Sequence, residues 1–240
     1  MSDSLGAPDE RMGELRDGLE RTRQRIASAC AAAGRDPADV TLVVVTKTWP
    51  ADDVRRLAAL GVRDVGENRD QEARAKAAET ADLGLTWHFV GQLQTNKAAS
   101  VAGYADLVHS VDRVRLVDAL DRGAERAGRS LGCLVEVSLD PQGSPGRGGV
   151  PPAQAGDVAA AIAASEHLEL RGVMGVAPLG GDAGPAFSRL AGILADLRRD
   201  YPGLDVMSAG MSEDLEQAVA AGATHLRVGS AVLGTRPPLG

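Results

Sequence analysis

The sequence contains no uninterrupted apolar run near the ~18 residues that a membrane-spanning helix needs, which excludes an integral α-helical membrane protein. Positive charge is in deficit too. Thirty-three acids against 26 bases leave a net charge of −7, which argues against a general nucleic-acid surface and still allows a local basic pocket. Cysteine occurs only as Cys30 and Cys133, so no disulfide framework is implied and buried thiols in a reducing compartment are expected. The opening MSDSLGAPDE has no basic segment followed by an apolar one, and a cytoplasmic location is expected. Lysine is scarce as well: Lys47, Lys76 and Lys97 stand among arginines that supply the rest of the 26 basic residues. A lysine where an arginine would not serve is a pointer to chemistry, although genomic bias produces the same contrast.

What is present is a regular alternation. The 240 residues are 44% hydrophobic and 25% charged, the composition of a globular chain. Short, β-branched-rich apolar runs bounded by Gly, Pro, Asp or Asn occupy Val40–Thr46, Arg63–Gly66, Thr86–Gly91, Leu107–Val111, Cys133–Leu139, Leu170–Ala177, Leu204–Ala209 and Thr224–Gly229. Helical patterns lie between them at Ala51–Leu60, Asp70–Ala81, Arg113–Ala127, Pro152–Ser165, Pro185–Arg199 and Ser212–Ala221. Asp112, Pro152 and Ser212 suit helix starts, and Gly61, Gly128 and Gly222 suit helix ends. This pattern predicts an α/β fold, a single (β/α)8 TIM barrel filling residues 1–240 as one domain. After the eighth run only AVLGTRPPLG remains, too short for a full closing helix, so the amphipathic segment Glu10–Ala33 is expected to cover the bare wall. The Gly/Pro-rich stretch Asp140–Pro152 reads equally as a mobile loop on the functional face or as a solvated linker.

In such a barrel chemistry gathers where strands end. Lys47 follows TLVVV and one threonine, where partial desolvation would favour the neutral amine that attacks carbonyls; a strand-end pairing with Glu67 is the equal alternative. Lys76 and Lys97 fall in or beside helical patterns, where a solvated charge is the ordinary outcome. The ends of the seventh and eighth strands carry Ser208-Ala209-Gly210-Met211-Ser212 and Gly229-Ser230, small residues and hydroxyls of the kind that build phosphate sites there. Arg227 precedes Gly229 by two positions and either offers a donor-only cation to a ligand or pairs with a carboxylate such as Glu136. An amine, a phosphate cradle and a cation suit a phosphorylated aldehyde: pyridoxal 5′-phosphate (PLP), or a sugar phosphate held as an imine.

At these residues the chain resembles the pyridoxal phosphate homeostasis protein family, the YggS or PROSC proteins. The matching segments are VTKTWP at 45–50, GENRDQE at 66–72, WHFVGQLQTNK at 87–97, HSVDR at 109–113, LRGVM at 170–174, MSAGMSED at 207–214 and VGSAVLG at 228–234. The resemblance implies a PLP-binding barrel similar to the alanine racemase N-terminal domain, with Lys47 forming the internal aldimine. It implies Asn68 near the cofactor, Ser208, Gly210, Gly229 and Ser230 about its phosphate, and Arg227 against the pyridine nitrogen; Met211, from the same cluster after the seventh strand, is expected among the cofactor-binding residues. Ala209 stands where the family usually has Met, and the stretch at 144–149 departs from the family's usual Lys-Ser-Gly form, which leaves that loop's role open.

A two-base racemase needs a proton donor opposite the lysine, usually a tyrosine. Tyr104 and Tyr201 both precede strands, at the wrong end of the barrel, and His88 and His109 lie inside strands. The expectation is therefore a PLP carrier in cofactor homeostasis and not a proficient enzyme, with transient PLP-dependent apoenzyme partners, no nucleic acid or membrane partner, and a monomeric state. A low-activity amino-acid racemase is the alternative, and a sugar-phosphate lyase the second.

Overall fold

The computed structural model describes residues 10–140 and 148–235. Eight parallel strands close in chain order: β1 (Thr41–Val45), β2 (Asp64–Glu67), β3 (Thr86–Phe89), β4 (Leu107–Val111), β5 (Leu131–Ser138), β6 (Leu168–Val176), β7 (Val206–Ser208) and β8 (His225–Val228). β8 pairs back onto β1 from Thr41↔His225 to Val44↔Val228. Parallel strands covered on both faces need apolar side chains on both, which is why β1 reads TLVVV without alternation. Each of the eight sequence runs overlaps a strand, with ends shifted by up to two residues, and the fold is the expected (β/α)8 barrel. The stretch at 144–149 falls largely outside the described residues.

The helices after each strand are α2 (Ala51–Ala59), α3 (Asp70–Glu79), α4 (Ala98–Ala102), α5 (Val114–Ala127), α6 (Ala155–Ala163), α7 (Ala183–Asp200), α8 (Leu215–Ala220) and the single turn α9 (Ser230–Leu233). Gly128 closes α5 in the left-handed region, as its position suggested. The predicted start at Ser212 is corrected: α8 begins three residues later, because the Asp214 carboxylate turns back to accept from the Met211 amide at 2.6 Å and holds the preceding loop open.

The preceding helix α1 (Glu10–Ala32) packs on α8 and α9 through buried Leu15, Leu19, Ile26 and Cys30, supplying the wall that the one-turn α9 leaves bare. Arg11 anchors it, donating to Asp53 at 2.9 Å and to the Leu233 carbonyl at 3.1 Å while its guanidinium lies 4.3 Å above the Trp49 ring. Among the described residues no helix is long and apolar enough to cross a membrane.

Side chains alternate along each strand, so His225 and Arg227 of β8, Leu107 and His109 of β4, and Val206 and Ser208 of β7 share the inward face. Leu107, Leu134, Met174 and Val206 form an apolar plug, and a polar layer containing His109, Ser208 and Arg227 lies in the same interior.

Candidate functional site

A cavity of about 770 Å³ opens at the C-terminal ends of the strands. Its wall draws Val45 and Lys47 from the end of β1, Asn68 from β2, Val90 and Gly91 from β3, Val176–Gly181 after β6, Met211–Asp214 after β7, and Arg227, Gly229 and Ser230 from β8. Six expected residues, Lys47, Asn68, Met211, Arg227, Gly229 and Ser230, therefore meet in one hollow. Ser208 and Gly210 do not line it. The Ser208 side chain is buried inside the barrel against His109 and Arg227. Gly210 sits at φ +91°, where an added Cβ would be 2.6 Å from the Ala218 methyl, so packing alone requires a glycine there.

Lys47 is exposed at the cavity rim and has no hydrogen-bond or ion-pair partner among the described residues, so the expected desolvation is not found. The turn beneath it is tightly tied. Lys76, expected to be solvated, is buried and donates at 2.7 Å to the Thr46 carbonyl, to Glu67 Oε1 and to Glu72 Oε1. Glu67 Oε1 also accepts from Thr46 Oγ1 at 2.7 Å, and Glu72 accepts from the Thr48 amide. Both neighbours of Lys47 are thus fixed by one network, buried at Thr46, Glu67 and Lys76 and exposed where Glu72 meets Thr48, and Thr48 is held at φ 70°, costly for a β-branched residue. Because Glu67 is committed to Lys76, the alternative pairing of Lys47 with Glu67 is not formed. Burial pushes the Glu67 carboxyl up, against the pull of Lys76. The Glu72–Lys76 spacing of four on a helix was the one sequence signal for this network.

Arg227 is almost wholly buried yet has no carboxylate within 4 Å among the described residues; the Glu136 salt bridge is absent. Its Nη1 donates to Ser208 Oγ at 2.5 Å and its Nη2 to the Gly175 carbonyl at 3.0 Å. Burial lowers its pKa to about 10, which leaves the guanidinium charged at neutral pH and its remaining donors available to a ligand. Glu136 is pushed up to about 7, first by burial and then by Asp112, and its Oε2 lacks a partner.

The loops after β7 and β8 meet where Ser230 Oγ donates to Ser212 Oγ at 3.2 Å, so the two Gly/Ser clusters noticed in the sequence face each other. Asn68 Oδ1 is buried without a partner, and Gly91 packs so closely on Asn68 that an added Cβ would lie 2.3 Å from its main-chain oxygen. Tyr104 lies in a different hollow, beside Trp87 and Asp106 at the opposite end of the strands. An unpartnered amine, an unpartnered amide oxygen, a buried cation with spare donors and two converging hydroxyls form a site for a ligand carrying a carbonyl, a ring acceptor and an anionic group.

The family profile described as alanine racemase, N-terminal domain, matches residues 19–237. The pyridoxal phosphate homeostasis protein of Mycobacterium tuberculosis (strain ATCC 25618 / H37Rv) is 45% identical over 98% of both chains, and that of Escherichia coli (strain K12) is 34% identical over 94% of this chain and 98% of the relative. Among solved structures, PipY of Synechococcus elongatus with PLP bound is similar at 38% identity and a TM-score of 0.76, covering 87% of this chain and all of that one. The D-threonine aldolase of Filomicrobium marinum, 18% identical with a TM-score of 0.70 over 96% of this chain and 64% of its own, shares the fold. The chain belongs to the pyridoxal phosphate homeostasis protein family, built on the barrel of the alanine racemase N-terminal domain.

Proposed function

We propose that this chain binds PLP in the 770 Å³ cavity and carries it reversibly, linked to Lys47, as part of intracellular PLP homeostasis. The observation that carries the reading is the free Lys47 amine sharing one hollow with the buried, carboxylate-free Arg227. The names of the relatives and the PLP-bound PipY support the choice of cofactor. When bound, PLP supplies an aldehyde that a primary amine captures reversibly. Lys47 would hold that aldehyde, Asn68 would accept a hydrogen bond at Oδ1, and Arg227 would donate to the ring nitrogen. Gly229 and Ser230, joined by Ser212, would receive the phosphate. Met211 would border the same end of the hollow. Ser208 and Gly210 would support that end from behind the wall.

Carriage in place of turnover is supported by the position of Tyr104, which leaves Lys47 without a tyrosine partner across this cavity. A monomer is supported by the described surface, where Leu179 and Met211 border the cavity itself and Val114 is the one further large exposed hydrophobic residue. Cytoplasmic PLP-dependent apoenzymes are the recipients that this reading implies. Borohydride reduction of the loaded protein followed by peptide mapping tests it: label on the peptide containing Lys47 is expected, and label on Lys76 or Lys97 overturns it. Rapid α-deuterium exchange of L-alanine or L-serine in D2O would replace the carrier with a racemase.

A further inference from the structure

Beneath Arg227 four polar side chains run in single file down the barrel interior. Arg227 Nη1 lies 2.5 Å from Ser208 Oγ, which lies 2.8 Å from His109 Nδ1. His109 Nε2 is 2.9 Å from His88 Nδ1, and His88 Nε2 is 3.0 Å from Asp64 Oδ1. The file starts at the cavity wall and ends at the first residue of β2, where the Asp64 side chain is 28% exposed at the opposite end of the barrel.

Proton accounting gives the file one direction. A guanidinium only donates and the Asp64 carboxylate only accepts, so the order that satisfies every link has Ser208 Oγ accepting from Arg227 and directing its single proton to His109 Nδ1. That nitrogen is then bare, and the neutral ring carries its proton on Nε2, aimed at His88 Nδ1. His88 in turn is bare at Nδ1 and donates from Nε2 to the Asp64 carboxylate. The reverse order would set a bare His88 Nε2 against the Asp64 carboxylate, two acceptors facing each other, and leave the Ser208 proton without a place in the file. A neutral His109 agrees with its surroundings: its pKa is held well below the ordinary value by burial, then by His88, Arg227 and His225. The His225 ring stands 6.0 Å from His88 and 6.4 Å from His109 without joining the file.

We propose that His109 and His88 are positioning residues for Arg227, a one-way hydrogen-bond chain that ties its guanidinium through Ser208 to the Asp64 carboxylate at the far end of the barrel. The tie fixes the guanidinium without a contacting carboxylate, so its charge is not spent on an ion pair and its free donors point where a ligand can use them. It also commits the Ser208 hydroxyl proton inside the barrel, so that this hydroxyl cannot donate to a phosphate. The effect of the chain on bound PLP rests on the function proposed above; the tautomers do not.

Two measurements test it. In the 15N-labelled protein at neutral pH, long-range 1H–15N spectra of the four histidines, assigned with His88→Gln and His109→Gln, should show both rings neutral and protonated on Nε2. A proton on Nδ1 of either ring, or a charged ring, overturns the proposal with no cofactor involved. In the PLP-loaded protein, His109→Leu should speed cofactor release about tenfold and shift the bound-cofactor absorbance, whereas His109→Gln, which can accept and donate in line, should restore both. Ser208→Ala breaks the first link with little change in volume and should repeat the leucine effect even if that variant fails to fold. Release and absorbance at native values in Ser208→Ala overturn the positioning role. Absence of borohydride label on Lys47 in the native chain would instead defeat the function and leave the tautomer result standing.

Discussion

Lys76 Nζ lies 2.7 Å from the main-chain oxygen of Thr46, the residue immediately before Lys47. One lysine, buried, thereby sets the position of another that is exposed. Its ammonium is compensated by Glu67 and Glu72, and the same two carboxylates reach the Thr46 hydroxyl and the Thr48 amide.

Lys76→Met should therefore destabilise the fold by about 3–5 kcal/mol, because it leaves the Glu67 carboxylate buried without its cation. Urea unfolding would show this as a lower midpoint at unchanged slope. The double variant Lys76→Met/Glu67→Gln should recover part of the loss, since the stranded charge is gone. Equal stability of the single and double variants would mean that the pair is not coupled.

Gly91→Ala should damage the cavity wall more than the barrel. Its Cβ would meet the main-chain oxygen of Asn68 at 2.3 Å and its Cα at 2.6 Å, and backbone cannot rotate out of the way. Overpacking of this kind costs about 1–3 kcal/mol. PLP titration followed by absorbance should show weaker capture, with far-ultraviolet dichroism unchanged.

The barrel itself was legible in the sequence because each strand is an apolar run set off by turn residues, and the eight runs keep chain order in space. The residues at the strand ends were legible for the same reason: position along a parallel strand decides which end of a barrel a side chain serves. Lys76 was not, since its burial depends on Glu67, a strand residue that only tertiary folding brings against α3. The file from Arg227 to Asp64 was hidden likewise, being spread over β2, β3, β4, β7 and β8 with no local spacing to betray it. α4 escaped notice because its five residues, AASVA, are too few to show a helical period.

Gly18→Ala should loosen α1 from the turn that carries Ser230. An added Cβ would stand 2.4 Å from the Val232 carbonyl oxygen in α9, whose first residue is Ser230. Hydrogen exchange should rise in α1 and α9 together, while β4 and β5 keep their protection. Protection unchanged in both helices would show that the close approach is not needed.

Stability should respond to pH in two opposed windows. His225, chiefly through burial, has its pKa lowered to about 4 from 6.5. The unfolded chain therefore binds more protons than the folded one between those values, and stability is lost as pH falls through them, by up to about 3 kcal/mol. Glu136, pushed up from 4.5 to about 7, acts with the opposite sign: its contribution is fully present below pH 4.5 and is lost as pH rises through 7, again by up to about 3 kcal/mol. Where the windows overlap, between pH 4.5 and 6.5, the two slopes offset each other and the native profile should be shallow. Glu136→Gln removes one of them. Its unfolding free energy relative to the native chain should rise from pH 5 to pH 8, and urea titrations at those two values measure the difference. A constant difference between the two chains would show that Glu136 is ionised in the fold at both pH values and that its burial exacts no penalty.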